Sequence, residues 1–277
     1  NLRKNGDGSN NIVSVISGLG WGLGYFGMPH ILVRFMAVRD EKEMTKSKAT
    51  AISWVALSLG FAVFIGTLGR AYLPELVNGN NEKVFIEMIK KVFTVEMRAP
   101  FIAGLFLCGI LAAIMSTADS QLLVSASSVA EDIFKGLLKK DADDKTVMNV
   151  SRVTVLVVAV LAYIIAWNPN NTVMGLVSNA WAGLGAAFGP LVVMSLYWKR
   201  TNFPGAVAGI VTGALAVIIW DYIPLVGGQT LGKATGLYSL VVGFGLGLIA
   251  IIAVSLATKA PSEEMLQEFE DVKANRL

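Results

Sequence analysis

The chain has 277 residues, 54% of them hydrophobic and only 16% charged, with a formal net charge of +3 and a strongly positive mean hydropathy. A soluble core does not need so much apolar surface, so the composition points to a protein that crosses a lipid bilayer. Lysine and arginine are spread over short loops instead of one patch, which argues against nucleic acid as a partner, and the single cysteine, Cys108, excludes internal disulfides.

Residues 1–11 are polar, begin with Asn and carry no signal-peptide pattern. They are read as the remnant of an external loop, the start of a fragment of a longer protein. Apolar windows of about 20 residues then predict seven spans, at Ile12–Ala37, Ala49–Tyr72, Pro100–Val129, Thr146–Trp167, Val173–Trp198, Phe203–Tyr222 and Gly236–Ala257. The loops after the first, third, fifth and seventh spans, counted with the adjoining span ends that carry Arg34 and Arg152, hold five, five, two and three basic residues, fifteen of the 23 in the chain. The positive-inside rule therefore places the C-terminus in the cytoplasm and the N-terminus outside.

The first span is interrupted. Between Gly18 and His30 it carries five glycines and Pro29, and lipid offers no partner for the backbone groups that such a break frees. A broken helix of this kind marks a binding site near the membrane midplane. Trp21, Tyr25 and Pro29 are spaced by four, which puts two rings and a proline on one face across the break. Amides and carbonyls around Gly22, Gly24 and Gly27 are then available for the charged ends of a zwitterionic solute. The plainer alternative is that the rings sit at the lipid interface and the glycines only pack. The Gly22-x-Gly24-x-x-Gly27 match to a dinucleotide fingerprint is set aside, because no strand precedes it.

After the second span, Val84, Phe85, Met88, Ile89, Val92 and Phe93 recur at helical spacing, opposite Lys83, Glu87, Lys90 and Lys91. This predicts an amphipathic helix in the external loop. The third span has polar oxygens at mid-helix. Ala113, Ser116 and Thr117 are related by i, i+3 and i+4, so one carbonyl and two hydroxyls can converge on a monovalent cation. The alternative is that the hydroxyls simply bond the carbonyl one turn back. Asp119 and Gln121 lie beside them, and three roles stay open for Asp119: a second cation, a basic partner, or a protonated carboxyl.

Small residues four apart in the last three spans, Gly185 with Gly189, Gly205 with Gly209 and Gly213, and Gly243 with Gly247, predict close helix packing. Asn179 and Trp181 in the fifth span are compatible with a pathway and equally with packing. The tail from Pro261 is expected to form a short helix capped by Ser262, with Met265, Leu266, Phe269 and Val272 on one face. His30 is the only histidine, and Asp141 to Lys145 lack the glycine and distal glutamate of a calcium loop. No nucleophile–base pair falls at membrane depth, so the reading is not an enzyme and expects no cofactor.

The runs Gly20–Ala37, Gly109–Leu123 and Ala180–Pro190 resemble the sodium:solute symporter family, with the nearest likeness to its proline-carrying bacterial members. The likeness extends from about Asn10 to Pro261 and falls on the C-terminal half of the family pattern. It implies an all-α integral membrane fold, the C-terminal part of a leucine-transporter-like inverted-repeat bundle. Residues 12–260 are then a transmembrane domain made of the second inverted repeat plus two C-terminal helices, and 261–277 a cytoplasmic tail. The resemblance further implies sodium-coupled symport of L-proline in the cytoplasmic membrane, with Trp21, Tyr25 and Pro29 as proline-site positions. Ala113, Ser116 and Thr117 match the sodium site, sodium being the coupling ion. Met28 is a departure, since the resemblance to the proline-carrying members implies a polar glutamine there, and it bears on fine substrate selectivity more than on family membership. The N-terminal half, with the other broken helix, is expected as a necessary partner, and without it the segment is not expected to transport. Two alternatives remain: a sodium symporter for pantothenate or another amino acid, and a non-transporting membrane sensor or interaction module.

Overall fold

The computed structural model describes residues 11–78, 81–168 and 172–274. The segment read as an external loop remnant lies outside these, apart from Asn11. Among the described residues six helices are long and apolar enough to cross a membrane, and a seventh crossing is the bent pair Ile12–Gly27 and Pro29–Met36. All seven predicted spans are therefore present as helices.

The chain divides into two compact units. The unit made of residues 1–33 and 171–277 contains α1 (Asn11–Gly24) and most of α2 (Pro29–Met36). A 3-10 turn at Tyr25–Gly27 joins these two helices, and Met28 is extended. The break follows from local chemistry: Pro29 has no N–H and disfavours a helical residue before it. The chain bends by 55° there.

The other helices of this unit are α7 (Val173–Tyr197), α8 (Phe203–Tyr222), α10 (Ser239–Ala257) and the tail helix α11 (Glu263–Lys273). Ser262 accepts the Met265 amide at the start of α11, as the capping pattern predicts. Between α8 and α10 lie a small hairpin, β1 (Pro224–Val226) with β2 (Gln229–Thr230), and the short α9 (Leu231–Thr235). The hairpin was not expected; it turns on Gly227 and Gly228, both at positive φ, which suits a two-residue turn.

Helices α7, α8 and α10 enclose a core of Ala182, Ala186, Val217, Leu240 and Phe244. Their expected small-residue stripes do pack closely. Pro190 sits inside α7 and has no N–H for the Ala186 carbonyl one turn back. That carbonyl lies against the backbone of Gly213, where a Cβ would approach it to 2.1 Å, a distance that admits only a Cα–H contact. At the other end Asn202 is 6% exposed. It accepts the Gly205 amide at the start of α8 and donates to Thr258 Oγ1 and the Lys259 carbonyl beyond α10, joining the two helices at one end.

The second unit, residues 34–170, contains α3 (Glu41–Tyr72), α4 (Val84–Ile89), α5 (Pro100–Ser127) and α6 (Asp144–Ala166). Asp40 caps α3 by accepting the Glu43 amide. The amphipathic segment is helical as predicted, but its second half, Lys90–Glu96, is π-wound, which sets Phe93 in a stack on Phe106 at 5.0 Å. The third span also runs on past Val129, as a π-wound stretch over Ser128–Leu138. No proline stops it, and Ala130 packs there with Ala142 and Val147.

Replacing Gly213 by alanine is expected to cost about 1–3 kcal/mol through overpacking on the Ala186 carbonyl, whereas Gly183→Ala, with open space around it, should be near neutral. Thermal unfolding of the two variants in detergent distinguishes these outcomes. Asn202→Ala is expected to be destabilising on the same assay by about 1–3 kcal/mol, since it leaves buried groups unpaired.

Candidate functional site

The break in the first helix faces α7. Gly24 and Gly27 are buried, and a Cβ on Gly24 would lie 2.0 Å from the Trp181 indole nitrogen. A Cβ on Gly27 would meet the Leu184 carbonyl at 2.5 Å. These two glycines therefore serve close approach, while Gly22 has open space around it. Met28, the extended residue of the break, is only 4% exposed.

Of the three predicted solute residues, two share a partner. Trp21, half-buried in the last turn of α1, stacks on Trp181 at 6.0 Å and on Tyr238 at 5.4 Å. Tyr25, at the start of the 3-10 turn, stands edge-on to Trp181 at 4.9 Å and is 54% exposed. Pro29 is half-buried at the first position of α2, beyond the bend, and takes no part in these ring contacts. The spacing of four thus brings Trp21 and Tyr25 to one partner and leaves Pro29 across the break.

Hydrogen bonds fix the same group. The Trp181 indole N–H donates to the Trp21 carbonyl at 3.0 Å, where a helix end leaves carbonyls in need of donors. The Tyr238 hydroxyl donates to the Ser178 carbonyl at 2.7 Å, and the Tyr238 amide donates to Ser17 Oγ at 3.0 Å. Trp181 had stood among the pathway candidates on sequence; Tyr238 and Ser17 had not. Nothing in the local pattern marks Tyr238, which precedes α10 and is 217 residues from Trp21 in sequence. Asn179 is exposed.

The predicted cation group lies in the other unit, at the middle of α5. Ala113, Ser116 and Thr117 are all exposed there. Thr117 Oγ1 donates to the Ala113 carbonyl at 3.2 Å, Ser120 Oγ to the Ser116 carbonyl at 3.0 Å, and Ser125 Oγ to the Gln121 carbonyl at 2.8 Å. For Thr117 this is the back-bonding expected as the alternative. It also holds two uncharged oxygens side by side, so a monovalent cation can take the Ala113 carbonyl once the Thr117 hydroxyl turns its proton away. Ala113 also borders an apolar cavity of about 350 Å³, lined by Phe85, Leu105, Phe106, Gly109 and Ile110. Asp119 is exposed on the same helix. Among the described residues no three His, Cys, Asp or Glu side chains come together as metal ligands.

Comparison with known proteins gives a consistent result. Residues 3–213 match the profile of the Sodium:solute symporter family. The Sodium/proline symporter of Escherichia coli (strain K12) is 45% identical over 271 residues, 96% of this chain and 51% of that protein. The High-affinity proline transporter PutP of Bacillus subtilis (strain 168) is 41% identical over 94% of this chain and 53% of its own length. The Osmoregulated proline transporter OpuE of the same organism is 42% identical over 94% and 51%. The chain thus spans about half the length of the curated relatives it matches. No solved structure matches it.

Gly24→Ala places a methyl group on the Trp181 indole and is expected to displace that ring from Trp21. Comparing the tryptophan fluorescence of the variant with that of Gly22→Ala, where space is open, checks this. A shift in the first variant alone is the expected result.

Proposed function

This chain belongs to the sodium:solute symporter family, and on that premise we propose that it supplies part of a carrier in which the inward sodium gradient drives uptake of L-proline across the cytoplasmic membrane. The observation that carries this reading is that three relatives named for proline transport are 41–45% identical over nearly all of the chain. Those relatives are transporters, which points away from an enzyme.

Proline presents a cationic secondary amine, a carboxylate and a compact apolar ring. In our reading Tyr25, the more open of the two rings at the break, offers its face to the amine and the ring carbons. Trp21 and Pro29 supply apolar walls, and the start of α2 carries the positive end of a helix dipole, which suits a carboxylate. Ala113, Ser116 and Thr117 contribute oxygens to the co-transported sodium, a neutral set suited to a monovalent ion. Sodium stabilises an outward-open state with higher proline affinity, so coupling is a binding linkage between two sites.

In the same proposal residues 12–260 form the transmembrane domain, with the second inverted repeat and two further helices, and 261–277 a cytoplasmic tail. The basic loops favour a cytoplasmic C-terminus. Alternating access needs one repeat to move against another, so the residues corresponding to the other half of the relatives are the partner required.

The test is uptake of labelled proline by cells that lack their own carrier and express the complete carrier containing this segment. Uptake that requires sodium is expected. The Ser116→Ala/Thr117→Ala double variant should need roughly ten-fold or more sodium for half-maximal uptake, a loss in the range seen when a metal's supporting groups are removed. Absence of proline uptake, with uptake of pantothenate or another amino acid instead, overturns the substrate assignment.

A further inference from the structure

The two rings at the break are held very differently. Trp21 is stacked on Trp181 and on Tyr238, and its carbonyl is engaged by the Trp181 indole. Tyr25 has one edge contact, also with Trp181, and over half of its surface is open. A single side chain on α7 therefore touches the backbone of the break and both of its rings.

Tyr238 makes a second tie between the same two helices, one turn away. Its amide donates to Ser17, four residues before Trp21, and its hydroxyl donates to the Ser178 carbonyl, three residues before Trp181. Just beyond these ties the chain passes from α-helix through a 3-10 turn to the extended Met28, a stretch in which the regular helical ladder ends. A segment without its own ladder takes its geometry from the groups outside it.

We infer that Trp181 is the positioning residue of the solute site: its indole N–H anchors the Trp21 carbonyl and its ring orients Tyr25, so that Tyr25 meets the solute and Trp21 serves as a fixed backing. This rests on the reading of the break as the proline site. It assigns to α7 a control over solute affinity that the spacing of residues in the first span does not reveal. Gly24 is part of the same device, since the indole occupies the place of its missing side chain.

Trp181→Phe keeps an aromatic ring and removes the N–H donor. In the complete carrier at saturating sodium it is expected to raise the proline KM about ten-fold, as fits the loss of a hydrogen bond to a partly buried carbonyl. Vmax per carrier at the membrane and the sodium requirement should stay within about two-fold, because the hydroxyls of α5 are untouched. Tyr238→Phe, which retains the stack on Trp21, should give a smaller KM increase. An unchanged KM, or a fall in Vmax and carrier amount alone, overturns the inference by reducing Trp181 to a packing residue.

A second measurement does not depend on the identity of the solute. Tyr25→Cys, placed in a Cys108→Ser background, is labelled by a maleimide in membrane vesicles with and without Trp181→Phe. A labelling rate changed several-fold by Trp181→Phe is expected, and an unchanged rate overturns the positioning role. Should the unsubstituted carrier take up no proline, the solute assignment fails while this labelling still decides the role of Trp181.

Discussion

Backbone amides and carbonyls have no partner in lipid, and a helix that breaks inside the membrane must find partners in its own protein. Most of what distinguishes the unit formed by residues 1–33 and 171–277 follows from meeting that demand between Gly24 and Pro29. The Met28 carbonyl accepts both the Ile31 and Leu32 amides, which restarts the helix after the bend. The Trp21 carbonyl on the other side of the break is met by an indole from α7. For that indole to arrive, α7 must come close to the first helix, and it does so through Leu184, Gly185 and Gly189 against Gly24 and Gly27. Gly185 and Gly189 also take Leu240 and Phe244 of α10, while α8 closes on α7 one step away, through Gly213 against Ala186, so the close packing at the break continues into the packing of α8 and α10.

The two groups of candidate residues solve opposite chemical problems. The aromatic group at the break is kept in place by bonds from distant parts of the chain, so its geometry is set by tertiary structure. The oxygens at Ala113 and Thr117 are set by the helix itself, four residues apart and 3.2 Å from one another. A cation that takes the Ala113 carbonyl competes with the threonine's own proton, so the helix holds this pair in order without needing an ion to do it.

How much of this was legible in the sequence depended on the range of the interaction. The spans could be read because a run of about 20 apolar residues has few alternatives, and the cap at Ser262 because capping is decided within four residues. The glycine stripes of α7, α8 and α10 could be read as packing because their spacing matches one helix face. The hairpin at Gly227-Gly228 has a local signal in the glycine pair itself, but its strands are only three and two residues long, too short to carry an alternating pattern. The π-wound ends at Lys90–Glu96 and Ser128–Leu138 were not legible, because over so few residues an apolar face fits either winding. Tyr238 was invisible for a different reason: its role comes from Ser17, Trp21 and Ser178, all far from it in sequence.

Helix α7 is the least apolar of the six membrane-length helices, since it holds the glycines, Pro190 and the polar residues Ser178 and Asn179 that the break and the packing require. During synthesis it leaves the ribosome before α8 and α10, the two helices that surround it. A segment of this composition gains less from lipid than its neighbours do, since α8 and α10 are more strongly apolar. The hold of α7 on the bilayer therefore depends more on the helices packed against it than that of α8 or α10 does.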